Sequence, residues 1–222
     1  MTTPTGPITW DGTGERLYEH GVDHGVLYIL NKATGAYDKG YAWNGLTTVT
    51  ETPAGAEANP AYADNIKYLN LLSAETFGGT IEAFTYPDEF GQCDGSVEPT
   101  EGLKINQQPR ATFGLSYRTK IGSDVDEELG YKIHMVYGLL ASPSEKAYAT
   151  INDSPEALSF SWDINSTPIS VTDMAPTSLI VADSTKIDSA AMTALEAVLY
   201  GSSTVVPKLP TPDEIIALVG TP

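Results

Sequence analysis

The chain holds a single cysteine, Cys93, in 222 residues. That excludes an intrachain disulfide and any zinc site built on several thiolates. Basic residues are also scarce: 12 Lys and Arg stand against 29 Asp and Glu, for a formal charge of −17. Such a balance excludes binding to nucleic acid through clusters of Lys and Arg, and attraction to an anionic membrane surface. No apolar run approaches 18 residues, so no helix spans a bilayer. The opening "MTTPTGPITW" has neither a basic start nor an apolar stretch. This argues against a secretory signal and for folding in the cytoplasm.

Motifs of catalysis are missing too. There is no G-x-S-x-G, no phosphate-cradling glycine loop and no G-x-G-x-x-G. His20 and His24 are four apart, the spacing of a metal pair on a helix, but Gly21 and Gly25 disfavour a helix there. The segment reads as a polar turn before the first strand. Asp124, Asp126, Glu127 and Glu128 fail the calcium-loop pattern, because Leu129 and Met135 stand where Gly and Glu are required. They read as a solvated acidic tip. Cys93 lies beside Asp94 and near Glu89, which disfavours a thiolate. His134 sits between apolar neighbours and reads as a sheet residue on the face opposite Ile133 and Met135. "NST" at 165–167 matches a glycosylation sequon, which carries no meaning without a secretory signal. The sequence therefore assigns no catalytic residue, no metal ligand and no cofactor.

What the chain does have is alternation. In "ALSFSWDINSTPISV", Leu158, Phe160, Trp162 and Ile164 are apolar while Ser159, Ser161, Asp163 and Asn165 are polar. Period two means a strand with one buried and one wet face. Residues 25–31, 41–51, 64–73, 77–86, 111–121, 131–141 and 177–184 also read as strands, with a bulge near Gly78 and Gly79. Residues 52–63, rich in Pro, Ala and Gly, read as a long loop. "PDEFGQCDG" reads as one helical turn with Pro87 at its first position and Gly95 past its end. Residues 187–201 read as a helix capped by Asp188, with Ala191, Leu195, Val198 and Leu199 as its apolar stripe. Thr211 and Pro212 start a second, short helix. The expected architecture is mainly β, a sandwich or partly open barrel with one short inserted helix and a C-terminal helix. The β domain spans 1–184, and a helical extension over 185–222 packs on it or on a neighbour.

Three stretches give the chain a family likeness. They are "TKIGSDVDEELGYKIHMVYGLLASPSEKAYATINDSPEALSFSWDINSTPI", "FGGTIEAFTYPDEFGQCDGS" and "IDSAAMTALEAVLYG…PKLPTPDEIIALVG". As a set, covering nearly the whole chain, they resemble the major tail tube proteins of long non-contractile-tailed phages (siphophages), most of all those of actinobacteriophages. The blocks "YPDEF…CDGS" and "NDSPEALSFSW" are the most specific. The resemblance implies a structural virion protein of the tail, assembled in the host cytoplasm, whose homohexameric rings stack into a tube. It implies as partners the tape measure protein enclosed in that tube and the tail terminator and distal tail proteins at its ends. Double-stranded DNA passes through without specific binding, and no membrane is engaged. In such a tube the polar faces around Thr80, Glu82, Ser159, Ser161 and Asp163 are candidates for the lumen wall. Thr52, Pro53, Glu57 and Pro60 in the long loop, and Asp124, Asp126 and Glu127 in the acidic tip, are candidates for contacts between rings, together with the N-terminal arm and the final helix. The alternative is a monomeric β-sandwich module that binds carbohydrate on Trp and Tyr platforms.

Overall fold

The structure, a computed structural model, describes residues 7–8, 10–73, 75–148, 150 and 157–220. It is mainly β. The strands are β1 (Tyr18–Ile29), β2 (Gly40–Trp43), β3 (Leu46–Ala54), β4 (Ala58–Ala63), β5 (Ile66–Leu72), β6 (Thr76–Ala83), β7 (Val97–Thr100), β8 (Leu103–Ile105), β9 (Phe113–Gly122), β10 (Gly130–Ala141), β11 (Phe160–Ser166), β12 (Ile169–Val171), β13 (Met174–Thr177) and β14 (Leu179–Asp183). A 3₁₀ turn (Asp88–Phe90) runs into α1 (Gly91–Asp94) between β6 and β7, and α2 (Ser189–Tyr200) and α3 (Pro212–Val219) follow the last strand.

Eight strands make one antiparallel sheet in the order β2-β1-β9-β10-β11-β6-β3, with β14 added beside β10. The sheet curls so that β1 and β3 approach each other, but no ladder joins them and the barrel stays open. The other six strands form three hairpins, β4–β5, β7–β8 and β12–β13.

β10 sets the curl. Its stretch Lys132–Val136 pairs with β14, and Leu139–Ala141 pairs with β11. Between them Gly138 has φ +64°, and a Cβ there would collide with the Thr167 carbonyl. Only glycine meets both conditions without strain. The register against β9 slips at this point, and the slip changes which side each residue faces. Ile133, Met135 and Tyr137 face the helices, whereas Leu139 faces the opposite interior. Plain alternation would have put all four on one side.

Two cores result. The first fills the curl of the sheet and is largely aromatic. Phe90, at the start of the inserted helix, lies 4.6 Å from Trp43, 5.0 Å from Trp162 and 5.5 Å from Phe113, measured between ring centroids. The second lies between the sheet and the helices. There Tyr28, Ile133, Met135 and Tyr137 meet Met192, Leu195, Leu199, Leu209 and Ile215. Two buried hydroxyls tie the layers together: Tyr28 donates to the Leu199 carbonyl at 2.8 Å and Tyr137 to the Pro210 carbonyl at 2.8 Å. Each leaves no orphaned polar group. Burying a leucine of this kind stabilises by about 1.5–3 kcal/mol, enough to hold helices too short to persist alone. α2 starts at Asp188, whose carboxylate accepts from the Ala190 and Ala191 amides, and α3 starts with a capping box between Thr211 and Glu214.

Several expectations need correcting. Residues 41–51 are two strands, not one, because Asn44–Gly45 makes a turn with Gly45 at φ +76°. Residues 52–63 are not a loop: β3 runs to Ala54 and β4 begins at Ala58. The expected turn at His20 and His24 is the irregular start of β1, where two register slips against β9 coincide with left-handed backbone at Gly21 and His24. Gly78 and Gly79 form no bulge. The ladder with β3 is regular there, and a Cβ on Gly79 would collide with the Thr50 carbonyl. The buried stripe of α2 is Met192, Leu195 and Leu199, with Ala191 and Val198 only half-buried. Leu158 is exposed and precedes the strand that begins at Phe160. Pro87 caps the inserted helix and does not occupy its first position.

Candidate functional site

β11 and β6 are neighbours with Ser161 opposite Glu82 and Asp163 opposite Thr80. β6 and β3 are neighbours with Glu82 opposite Thr48 and Thr80 opposite Thr50. Since residues two apart share a face, these side chains form one polar panel across three strands. The Thr80 hydroxyl donates to Asp163 at 3.1 Å, one of the panel's links. Their alternates, Ile81, Ala83, Trp162 and Ile164, are buried in the aromatic core. Four of the five lumen candidates thus come together. Ser159 is exposed and lies just before β11, so the panel includes it only at its margin.

The ring-contact candidates divide. Thr52 and Pro53 sit near the end of β3, opposite Gly78 and Phe77. Beyond Ala54 the chain leaves the body as the β4–β5 ribbon. Glu57 stands at its root: its amide donates to the Ser73 hydroxyl at 3.0 Å, and its carbonyl accepts from the Ser73 amide at 3.1 Å. Pro60 is within β4, opposite Asn70. Its missing N–H costs little in a two-stranded ribbon with free edges. Asp64 and Asn65, both with positive φ, make the two-residue turn at the tip. Asp124, Asp126 and Glu127 lie between β9 and β10 as expected. Two of them already serve the chain itself: Asp124 accepts from the Gly14 amide at 2.9 Å, and Asp126 from the Glu128 amide at 3.0 Å. Met1–Gly6 of the expected N-terminal arm, and Asn152–Glu156 of one recognised block, lie outside the described residues.

Sequence reasoning missed the ribbon's apolar surface. Tyr62, Ile66, Tyr68, Leu69, Leu71 and Leu72 are 40–72% exposed. A run of large apolar residues on one short hairpin is far from the scattered exposure ordinary for a monomer. The signal was present in "IKYLNLL", where apolar residues fail to alternate as a half-buried strand requires.

At the ribbon's root the two halves of the curled sheet are fastened together. The Tyr117 hydroxyl donates to the Glu51 carboxylate, and His134 Nδ1 lies 3.1 Å from the same oxygen. The imidazole stacks flat on the Tyr117 ring at 4.7 Å, and its Nε2 meets the Thr119 hydroxyl at 3.1 Å. The His134 contact, with help from Tyr117, holds the Glu51 carboxyl below the ordinary glutamate range against the opposing effect of burial. His134 does lie opposite Ile133 and Met135, but it also bridges β10 to β3. On β1, Asp23 receives a two-pronged bond from Arg118 at 2.7 and 3.0 Å, which lowers its pKa.

Cys93 is buried, and burial with Asp94 beside it pushes its thiol up to about 12. Trp43 and Trp162 are core residues, while Trp10 is exposed. Among the described residues no cluster of His, Cys, Asp and Glu is arranged to hold a metal, and no helix is long and apolar enough to cross a membrane. No known protein-family model matches the chain, and no curated protein matches it.

Proposed function

We propose that this chain is the subunit of a phage tail tube, acting in the virion as hexameric rings stacked end to end. The single observation that carries this reading is the β4–β5 ribbon, which exposes six large apolar side chains that the described residues leave uncovered. The polar panel on β3, β6 and β11 adds support. Its Thr, Ser and acidic residues suit the wall of a water-filled bore, and β3 leaves one edge unpaired. An unpaired edge of this length invites pairing with another chain. Joining such edges around a ring would form a continuous lining. Glu82, Asp163 and the overall charge of −17 make that lining anionic. DNA phosphates are then kept from adhering over a Debye length of about 8 Å at physiological salt. The tape measure protein occupies the bore during assembly, and the terminator and distal tail proteins close its ends. The chain's role is structural.

Sedimentation across a concentration series, followed by negative-stain imaging, tests the reading. Rings or tubes with a central hole are expected. Discrete monomers at every soluble concentration, with a sugar bound on the exposed aromatics, would replace it by the carbohydrate-module alternative.

A further inference from the structure

Beside the approach to α3 the surface folds into a cleft of about 620 Å³. That is the size of a small-molecule site, and such sites pair apolar walls with a few fixed polar groups. Separate parts of the chain build it. Leu30 follows β1, Gly138 lies in β10, Ile169 opens β12, and Leu209 and Pro212 lead into α3. Tyr37, from the segment before β2, lines it too, with its ring 6.2 Å from that of Tyr137.

The Tyr37 hydroxyl is half used. The residue is 7% exposed, and its oxygen accepts from the Gly138 amide at 2.9 Å. That is the hydroxyl's one bond among the described residues, so its own hydrogen meets no acceptor there. The other two tyrosines of this core behave differently: Tyr28 and Tyr137 each donate to a backbone carbonyl at 2.8 Å. A tyrosine hydroxyl can donate and accept at once, and leaving a buried donor unpaired is costly. Both Tyr37 and Gly138 line the cleft, so an acceptor can reach that hydrogen from within it. The charged residues of the cleft restrict what enters. Asp38, Asp213 and Glu214 stand against Lys208, which disfavours an anion. Each carboxylate already has partners: Asp38 accepts from Asn31 and Thr34, Asp213 from Thr172, and Glu214 from Thr211 and Lys208. None of them calls for a cation.

We infer that this cleft binds a small neutral molecule with an apolar body and one carbonyl oxygen, which accepts from the Tyr37 hydroxyl. The apolar body lies against Leu30, Ile169 and Leu209. The site does not depend on the tube reading and is present in a single subunit.

Ligand-observed saturation-transfer NMR on the full chain tests it, because the signal is read on the probe, whether the chain is free or assembled. Acetanilide supplies a ring and a carbonyl, and ethylbenzene supplies a ring without an acceptor. Acetanilide should saturate with a Kd of about 1 mM, reasonable for a ligand of its size. Benzoate should bind more weakly by about 10-fold or more, because the charge of the cleft opposes it. Tyr37→Phe should weaken acetanilide about 10-fold, the upper end for one neutral hydrogen bond, and leave ethylbenzene unchanged. Equal losses for the two probes would overturn the role of the hydroxyl. Ile169→Trp, with folding checked by circular dichroism, should fill the cleft and abolish binding of both. Binding that survives Ile169→Trp would belong to the exposed ribbon and overturn the site, as would no saturable signal from acetanilide with the unaltered chain. None of these results bears on whether the chain forms rings.

Discussion

The two faces of the curled sheet are finished in different ways. Behind β1, β9, β10 and β14 the chain lays its own α2 and α3, whose Met192, Leu195, Leu199 and Ile215 are buried in one core with Tyr28, Ile133, Met135 and Tyr137. On the far side, β3, β6 and β11 bury Ile81, Trp162 and Ile164 inward but present outward a polar panel in which Thr80, Glu82 and Ser161 are half-buried and Asp163 is exposed. Among the described residues, nothing covers either surface of the ribbon that continues from β3. The lesson is a division of labour. Stability resides where the chain supplies both layers, and the surfaces available for association are those to which it supplies only one.

That comparison can be broken by substitutions matched across it. The largest effect is expected under the helices. Leu195→Ala should cost about 3 kcal/mol in urea unfolding, as a buried leucine truncated in a packed site does. Leu71→Ala on the ribbon should change the same measurement by less than about 0.5 kcal/mol while reducing assembly. Equal losses at the two sites would mean that the ribbon packs on its own subunit. Next comes the cap of α3. Thr211→Ala removes the side chain that accepts from the Glu214 amide at 3.3 Å, and should cost about 1 kcal/mol.

A pH series sharpens the contrast further. The Glu51 and Asp23 carboxyls are both held below their ordinary values. Their contribution is therefore complete above the unfolded carboxylate range and fades as pH falls through the lowered folded values. Glu51→Gln should flatten the acid limb of the stability curve measured by thermal unfolding, and an unchanged limb would assign the acid loss elsewhere. The smallest effect is expected on the panel. If the panel lines the bore of the proposed tube, Asp163→Lys with Glu82→Lys should leave unfolding within about 0.5 kcal/mol, yet slow genome ejection from assembled tails.

Much of this division was legible in the residues. Alternation placed Trp162 and Ile164 inward, and Asp188 and Gly95 marked helix ends correctly. What escaped was long-range. Residues 52–63 look like a loop because Pro, Ala and Gly carry little strand propensity. They extend because the Asp64–Asn65 turn folds them against β5. Nothing local to His134 announces that Glu51, 83 positions away, will lie against it. The reversal at Gly138 was hidden for the same reason: the Thr167 carbonyl that demands a glycine there comes from a different strand end.

That reversal has a consequence for how the sequence is free to vary. With residue 138 fixed as glycine, β10 serves two interiors out of step with each other, like a ribbon given a half-twist. Changes that suit the helix layer at Ile133 or Met135 fall on one side of the twist, and changes that suit the aromatic interior at Leu139 or Ala141 fall on the other. Lineages can revise either interior separately, provided that one hydrogen atom never becomes a side chain.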